Sequence, residues 1–255
     1  MNLLAFDTGT DLMSVAVART IDGQVQQWQH TATGGAKAST DLIPAILALL
    51  RQADLRLGDL HAICFGSGPG SFTGLRTACS VAQGLAFGAR VPVLPVDSLL
   101  AVAEDARHTG LAGQTKVVVT AVLDARMDEL YAATFALEGG LWTELQRSAL
   151  VRPEDLRQFP ANSNAQASTP WVMAGNVFAV YGERVAAGDP AAAQALRLPA
   201  LPTAAAMLRL APQLLAQGKA VSAEHALPSY IRDKVAKTTA ERVAEKAAAQ
   251  AGTSH

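Results

Sequence analysis

Met1-Asn2-Leu3-Leu4-Ala5-Phe6-Asp7-Thr8-Gly9-Thr10, with the residues that follow as far as His30, decides the fold. The apolar run from Met1 to Asp7 predicts a buried strand that ends in the turn Asp7-Thr8-Gly9-Thr10. Ser14 to Thr20 alternates small and apolar residues and predicts a second strand. Asp22-Gly23 is hairpin chemistry, because a tight hairpin needs left-handed backbone at both central positions, and it leads into a third strand from Gln24 to His30. Beyond lie a small-residue loop, Ala32 to Ser39, and a helix from Thr40 to Ala53 with Asp41 in its first turn. Then follow a short buried strand from Ala62 to Phe65, a tight loop from Gly66 to Gly70, and a helix from Ser71 to Gly88. A strand from Val91 to Val96 and a helix from Asp97 to Arg107 complete the unit.

Three antiparallel strands followed by helix, strand, helix and strand is the lobe of the actin, Hsp70 and sugar-kinase class. The expectation is therefore an α/β protein of actin-like ATPase (ASKHA) fold, with two lobes, each a mixed β-sheet flanked by helices. A second copy starts near Lys116. Val117 to Leu123 reads as a strand, Asp124-Ala125-Arg126 as a turn, and Leu130 to Leu137 with Leu141 to Ser148 as a hairpin across Glu138-Gly139-Gly140. This lobe reads as shorter and looser. It includes a linker from Ser163 to Pro170, a strand from Trp171 to Ala174, a helical piece from Ala191 to Ala195, and a last helix from Thr203 to Gln217 stopped by Gly218. The expected domains are residues 1–108, a first lobe carrying pairing helices; 109–236, a smaller second lobe with a closing helix; and 237–255, an Ala/Glu/Lys-rich frayed or disordered tail.

Half of the 255 residues are apolar and the net charge is -1, which excludes a disordered chain and a large basic face that grips nucleic acid unaided. The one modest basic cluster is Arg232, Lys234 and Lys237. No apolar run suits a membrane span, and the start reaches Asp7 with no basic leader, so no membrane association and a cytoplasmic location are expected. Cys64 and Cys79 sit in apolar surroundings and make no disulfide framework.

Asp7-Thr8-Gly9-Thr10 can act as a phosphate turn, since glycine permits close approach and oriented N–H groups favour anions; an ordinary hairpin turn looks the same. Gly66-Ser67-Gly68-Pro69-Gly70-Ser71 opens a helix and could seat an anion, but it has neither the Lys-Ser/Thr of a P-loop nor a third dinucleotide glycine. Chain reversal with Ser71 as helix cap is the better account. The helices on either side carry more apolar residues than one sheet face needs. In the first, Leu42, Ile46 and Leu49 form one stripe and Ile43, Leu47 and Leu50 another. In the second, Phe72, Leu75, Cys79, Ala82 and Ala86 form one, and Gly74, Ala78, Val81, Leu85 and Gly88 the other. Glycines within a helix, such as Gly74 and Gly84, cost roughly 1 kcal/mol each, a cost that close helix packing explains. Leu42, Ile43, Ile46, Leu49, Leu50, Phe72, Gly74, Leu75, Ala78, Val81 and Leu85 are accordingly expected at an interface with a partner chain. No catalytic residues and no metal ligands are expected. The five histidines are scattered, Gly-x-Ser-x-Gly is missing, and Asp124, Asp128 and Glu129 read as a solvated cluster, although Asp124 could face an interlobe cleft.

Several of these motifs are similar to the TsaB family: the Asp7 turn, Gly68 to Arg76, Val81 to Gly88, Val96 to Leu99, Leu123 to Arg126 with Tyr131, Ala174-Gly175-Asn176, and Tyr230 to Val235. The resemblance runs to about Ala236 and implies a non-catalytic subunit of the bacterial tRNA N6-threonylcarbamoyladenosine transferase complex. Such a subunit supports the catalytic paralogue TsaD together with TsaE, forms a homodimer when alone, and meets tRNA through the complex. TsaD carries two metal-binding histidines four apart; Ser98 and Val102 stand at those places here, so the resemblance implies no enzyme activity. It implies no firmly bound cofactor, with ATP or ADP only at the joint with TsaD and Asp7, Thr8, Gly9 and Thr10 a vestige. The alternative is an active ATPase or small-molecule kinase of the same fold.

Overall fold

A computed structural model describes residues 1–159, 169–188 and 195–232. The first lobe comprises β1 (Asn2–Asp7), β2 (Leu12–Ile21), β3 (Gln24–Thr33), α1 (Ala38–Gln52), β4 (Ala62–Gly68), α2 (Phe72–Ala89), β5 (Val93–Asp97) and α3 (Ser98–Gly110). The second comprises β6 (Lys116–Arg126), β7 (Glu129–Glu138), β8 (Leu141–Val151), β9 (Trp171–Gly175), α4 (Phe178–Gly188) and β10 (Leu196–Pro199). Helix α5 (Ala204–Ala216) follows. The two sheets have the orders β3-β2-β1-β4-β5 and β8-β7-β6-β9-β10. In each, the first strand pairs antiparallel with the second and parallel with the fourth. The two lobes thus repeat one topology, that of the actin-like fold.

The pleat of the first sheet puts its largest side chains on one face and most of its small ones, with Leu3, Leu94 and Val96, on the other. Leu4, Phe6, Met13, Val15, Ile63 and Phe65 pack under α1 and α2, whereas Ala5, Ala16, Ala18, Ala62 and Cys64 face the other way. Small residues let a helix approach closely, and the helix that does so is α5, against β1, β2 and β4. Helix α3, which leaves the first sheet, packs on β6, β7 and β9 of the second. The lobes have exchanged covering helices, and one apolar core runs through both. The closing helix, read from sequence with the second lobe, therefore lies on the first sheet.

The hairpin at Asp22-Gly23 is as expected, with φ of 50° and 79°. Other segments differ. β3 continues to Thr33 and α1 starts at Ala38, which shortens the expected loop. β4 runs to Gly68, because Gly66 and Gly68 still pair with β5. Asp124-Ala125-Arg126 belongs to β6, and the chain reverses one step later, at Arg126, Met127 and Asp128, all with φ near +60°. The second lobe is a full five-stranded copy rather than a looser one, since β10, α4 and a short helical turn at Pro153–Gln158 were not foreseen. The tail 237–255, Lys234 and Lys237, and most of the expected linker and helical piece (163–168 and 191–194) lie outside the described residues.

Candidate functional site

The Asp7 turn ends β1 at the bottom of the cleft between the lobes. Asp7 is 1% exposed, and its carboxylate points inward. Oδ1 accepts the Gly9 N–H at 2.7 Å and Oδ2 accepts the Ser98 hydroxyl at 3.3 Å. Gly66 makes the room: a Cβ there would stand 1.7 Å from Asp7 Oδ2. Burial pushes the Asp7 pKa up to about 7, against the pull of the Gly9 and Ser98 hydrogen bonds. The buried Thr8 hydroxyl donates to the Gly74 carbonyl at 2.7 Å, the Gly9 carbonyl accepts the Ser71 N–H at 2.7 Å, and Thr10 bonds within its own turn to Leu12. The Asp7 carboxylate, the Gly9 N–H and the Thr8 hydroxyl are thus engaged inside the protein, while Gly9 and Thr10 line the cleft. Ser98 is the partner of Asp7, and Val102 is fully buried in the core. Among the described residues, no group of three or more His, Cys, Asp or Glu side chains could hold a metal ion.

Across the cleft, Asp124 and Arg126 come from the end of β6, Tyr131 from β7, and Asn176 from the loop after β9. Gly175, at φ 156°, brings that loop close, because a Cβ there would lie 1.7 Å from the Val122 carbonyl oxygen. Asn176 Oδ1 then accepts the Asp124 N–H at 3.0 Å. Arg126 reaches over and grips both oxygens of Asp11, at 2.7 and 2.8 Å, while also meeting Asp124 at 3.2 Å. The space left between the lobes here is about 150 Å³. Asp124 does face the cleft, as expected; Asp128 pairs with Arg184 and Glu129 with Arg232. The Asp11–Arg126 grip had no local signal in the sequence, and Ala174-Gly175-Asn176 was singled out as a motif without a role in the cleft.

The expected interface residues divide. Leu42, Ile46, Leu49, Leu50, Gly74, Leu75 and Ala78 are buried in this chain and are not open to a partner. They come from both stripes of each helix, and Gly74 sits so close to the turn after β1 that a Cβ would come within 1.9 Å of the Thr8 carbonyl oxygen. Ile43 and Phe72 are exposed, with Val81 and Leu85 half-buried. Beside them are large apolar groups the expectation passed over or did not place there, Leu47 at 43% and Phe87 at 80% exposure. Gly84 and Gly88, one turn apart on α2, face open space, so nothing within the described chain accounts for their small size.

Residues 24–240 match the family model of TsaD, tRNA N6-adenosine threonylcarbamoyltransferase. The chain is 34% identical to the tRNA threonylcarbamoyladenosine biosynthesis protein TsaB of Escherichia coli over 237 residues, 92% of this chain and 96% of that one. It is 33% identical to TsaB of Haemophilus influenzae over 248 residues, 92% and 95% of the two chains. The solved structure of YeaZ from Pseudomonas aeruginosa superposes with a TM-score of 0.74 at 35% identity, covering 90% of this chain and 99% of that one. Taken with the duplicated lobes, these similarities show that the chain belongs to the TsaB/YeaZ family.

Proposed function

We propose that this chain is a non-catalytic subunit of the complex that forms threonylcarbamoyladenosine on tRNA, and that it pairs through α1 and α2 with its paralogue TsaD. A role in that tRNA modification follows the naming of the TsaB relatives. The observations that carry the pairing are the exposed Ile43 and Leu47 on α1 and, on α2, which packs beside α1, the exposed Phe87 and the glycines Gly84 and Gly88. Large apolar groups in water beside helix glycines with nothing against them suit a second helix pair packed closely across them. The same face serves a homodimer when TsaD is absent, and TsaE and tRNA join through the assembly in the cytoplasm. Catalysis belongs to TsaD, in line with Ser98 and Val102 at the places of its histidines.

The competing reading is an ATPase or kinase. The cleft beside the Asp7 turn holds about 150 Å³, and Arg126 lies across it. ATP or ADP then has a place only at the joint with TsaD. Light scattering after gel filtration tests the pairing: a one-to-one complex with the cognate TsaD is expected to replace a homodimer. Gly84→Arg and Leu47→Asp should each abolish it with the fold intact by circular dichroism. Undiminished complex formation by both variants would refute the surface, and tight magnesium-dependent ATP binding by the chain alone would favour the enzyme.

A further inference from the structure

Where α2 begins, a groove of about 290 Å³ runs between the first residues of that helix, the β6–β7 turn and the segment 229–232. Its lining includes Arg126, paired with Asp11 and Asp124, and Arg232, paired with Glu129. On its rim the rings of Phe72 and Tyr230 lie 5.3 Å apart and tilted by 38°, and they remain 39% and 43% exposed. The Arg76 guanidinium carbon stands over the Phe72 ring, 3.7 Å from its centroid, and Arg76 donates from Nε to the Tyr230 hydroxyl at 3.1 Å. No carboxylate among the described residues pairs with Arg76, so the outer edge of its guanidinium is free. Past Arg232 the sequence continues with Lys234 and Lys237.

An exposed aromatic pair with a cation beside it that no carboxylate among the described residues meets is the chemistry of base stacking combined with phosphate pairing. The cation is Arg76, since Arg126 and Arg232 are engaged by Asp11, Asp124 and Glu129. The groove has room for one nucleotide and not for a duplex. Its stacking rings stand at the surface, where a strand can run across them, rather than in an enclosed pocket. We infer that this groove holds one unpaired nucleotide of a single-stranded RNA segment, with the base against Tyr230 and Phe72 and the phosphate at Arg76. The inference rests on the RNA-modifying role proposed above and adds direct contact by this subunit.

The experiment is fluorescence anisotropy of a labelled single-stranded RNA dodecamer with the full chain at low salt. The wild type is expected to bind with a dissociation constant of roughly 10 to 100 μM, in the range of electrostatic nucleic-acid binding. Tyr230→Ala should weaken binding at least about fivefold, as loss of one stacked base does. Tyr230→Phe keeps the ring and should stay near the wild type. Arg76→Ala should weaken binding and lower the salt slope by roughly 0.7, with Arg76→Lys restoring the slope. No binding by the wild type, or wild-type affinity in both alanine variants, would overturn the inference, as would displacement of the RNA by AMP at equal concentration. Light scattering with TsaD on the same samples separates the two proposals: a complex that forms while RNA fails to bind sinks the RNA contact alone.

Discussion

Asp7 is buried at the end of β1, its carboxylate held by the Gly9 N–H and the Ser98 hydroxyl. Because burial raises its pKa to about 7 in the native state, folding favours its protonated form. Below pH ~4 both states carry the proton; as the pH rises towards 7 the unfolded chain ionises first, and stability falls. Asp97, which caps α3 and is raised to about 6 chiefly by burial, acts with the same sign. Asp7→Asn should therefore flatten the loss of stability between pH 4 and 7, by up to about 4 kcal/mol. Urea unfolding at pH 4.5 and 7.5 measures this, and an unchanged difference between the two would show that Asp7 ionises freely. The turn itself was legible from Asp7-Thr8-Gly9-Thr10. The direction of the carboxylate was not, because it is set by Gly66 and by Ser98, which lies 91 residues away.

Helix α2 carries two kinds of glycine that sequence reading treats alike. Gly74 is small because β1 touches it, whereas Gly84 is small with only open space around it. The same substitution should thus act oppositely at the two sites. Gly74→Ala drives a methyl into the Thr8 backbone and should cost about 3 kcal/mol or more. Gly84→Ala should stabilise the isolated chain by about 1 kcal/mol, the ordinary helix-propensity gain. Urea midpoints of the two variants decide it, and a destabilised Gly84→Ala would mean that the helix meets something within its own chain. Periodicity gave α1 and α2 two apolar stripes each. It could not say which residues face the sheet, so buried residues of both stripes, such as Leu42, Leu50, Gly74 and Leu75, entered the expected interface while Phe87 was left out. The β6–β7 turn is a further element effect. Three consecutive non-glycine residues in left-handed backbone cost roughly 1–2 kcal/mol each, so Met127→Gly should raise stability by about 1 kcal/mol in the same assay.

The first lobe was readable because its order of elements is complete and its turns carry Asp-Gly and Gly-Pro signals. The second was readable only as far as its hairpin, since α4 and the short β10 have weak patterns beside long polar connections. What no local pattern carries is the exchange of α3 and α5 between the sheets, because a helix's sequence shows that it has an apolar face and not which sheet will take it. That exchange is held by Glu104, which is 3% exposed on α3. It receives Arg107 at 2.7 Å from its own helix, Arg209 at 2.8 Å from α5, and the Trp142 indole at 3.0 Å from β8. Burial works to raise its pKa, but Arg107, Trp142 and Arg209 together bring it below the usual carboxylate value. The charge is therefore retained, and its stabilisation is present at neutral pH and lost as the pH falls through the native pKa. Glu104→Ala strands two half-buried guanidinium groups where both lobes meet and should cost on the order of 3 kcal/mol. Glu104→Ala combined with Arg209→Ala should cost less than the two single losses added together, because the second change removes a charge the first has already orphaned. A urea double-mutant cycle gives the coupling directly. Additive losses would mean that Glu104 does not join α3 to α5, and that the apolar core alone keeps the exchanged helices in place.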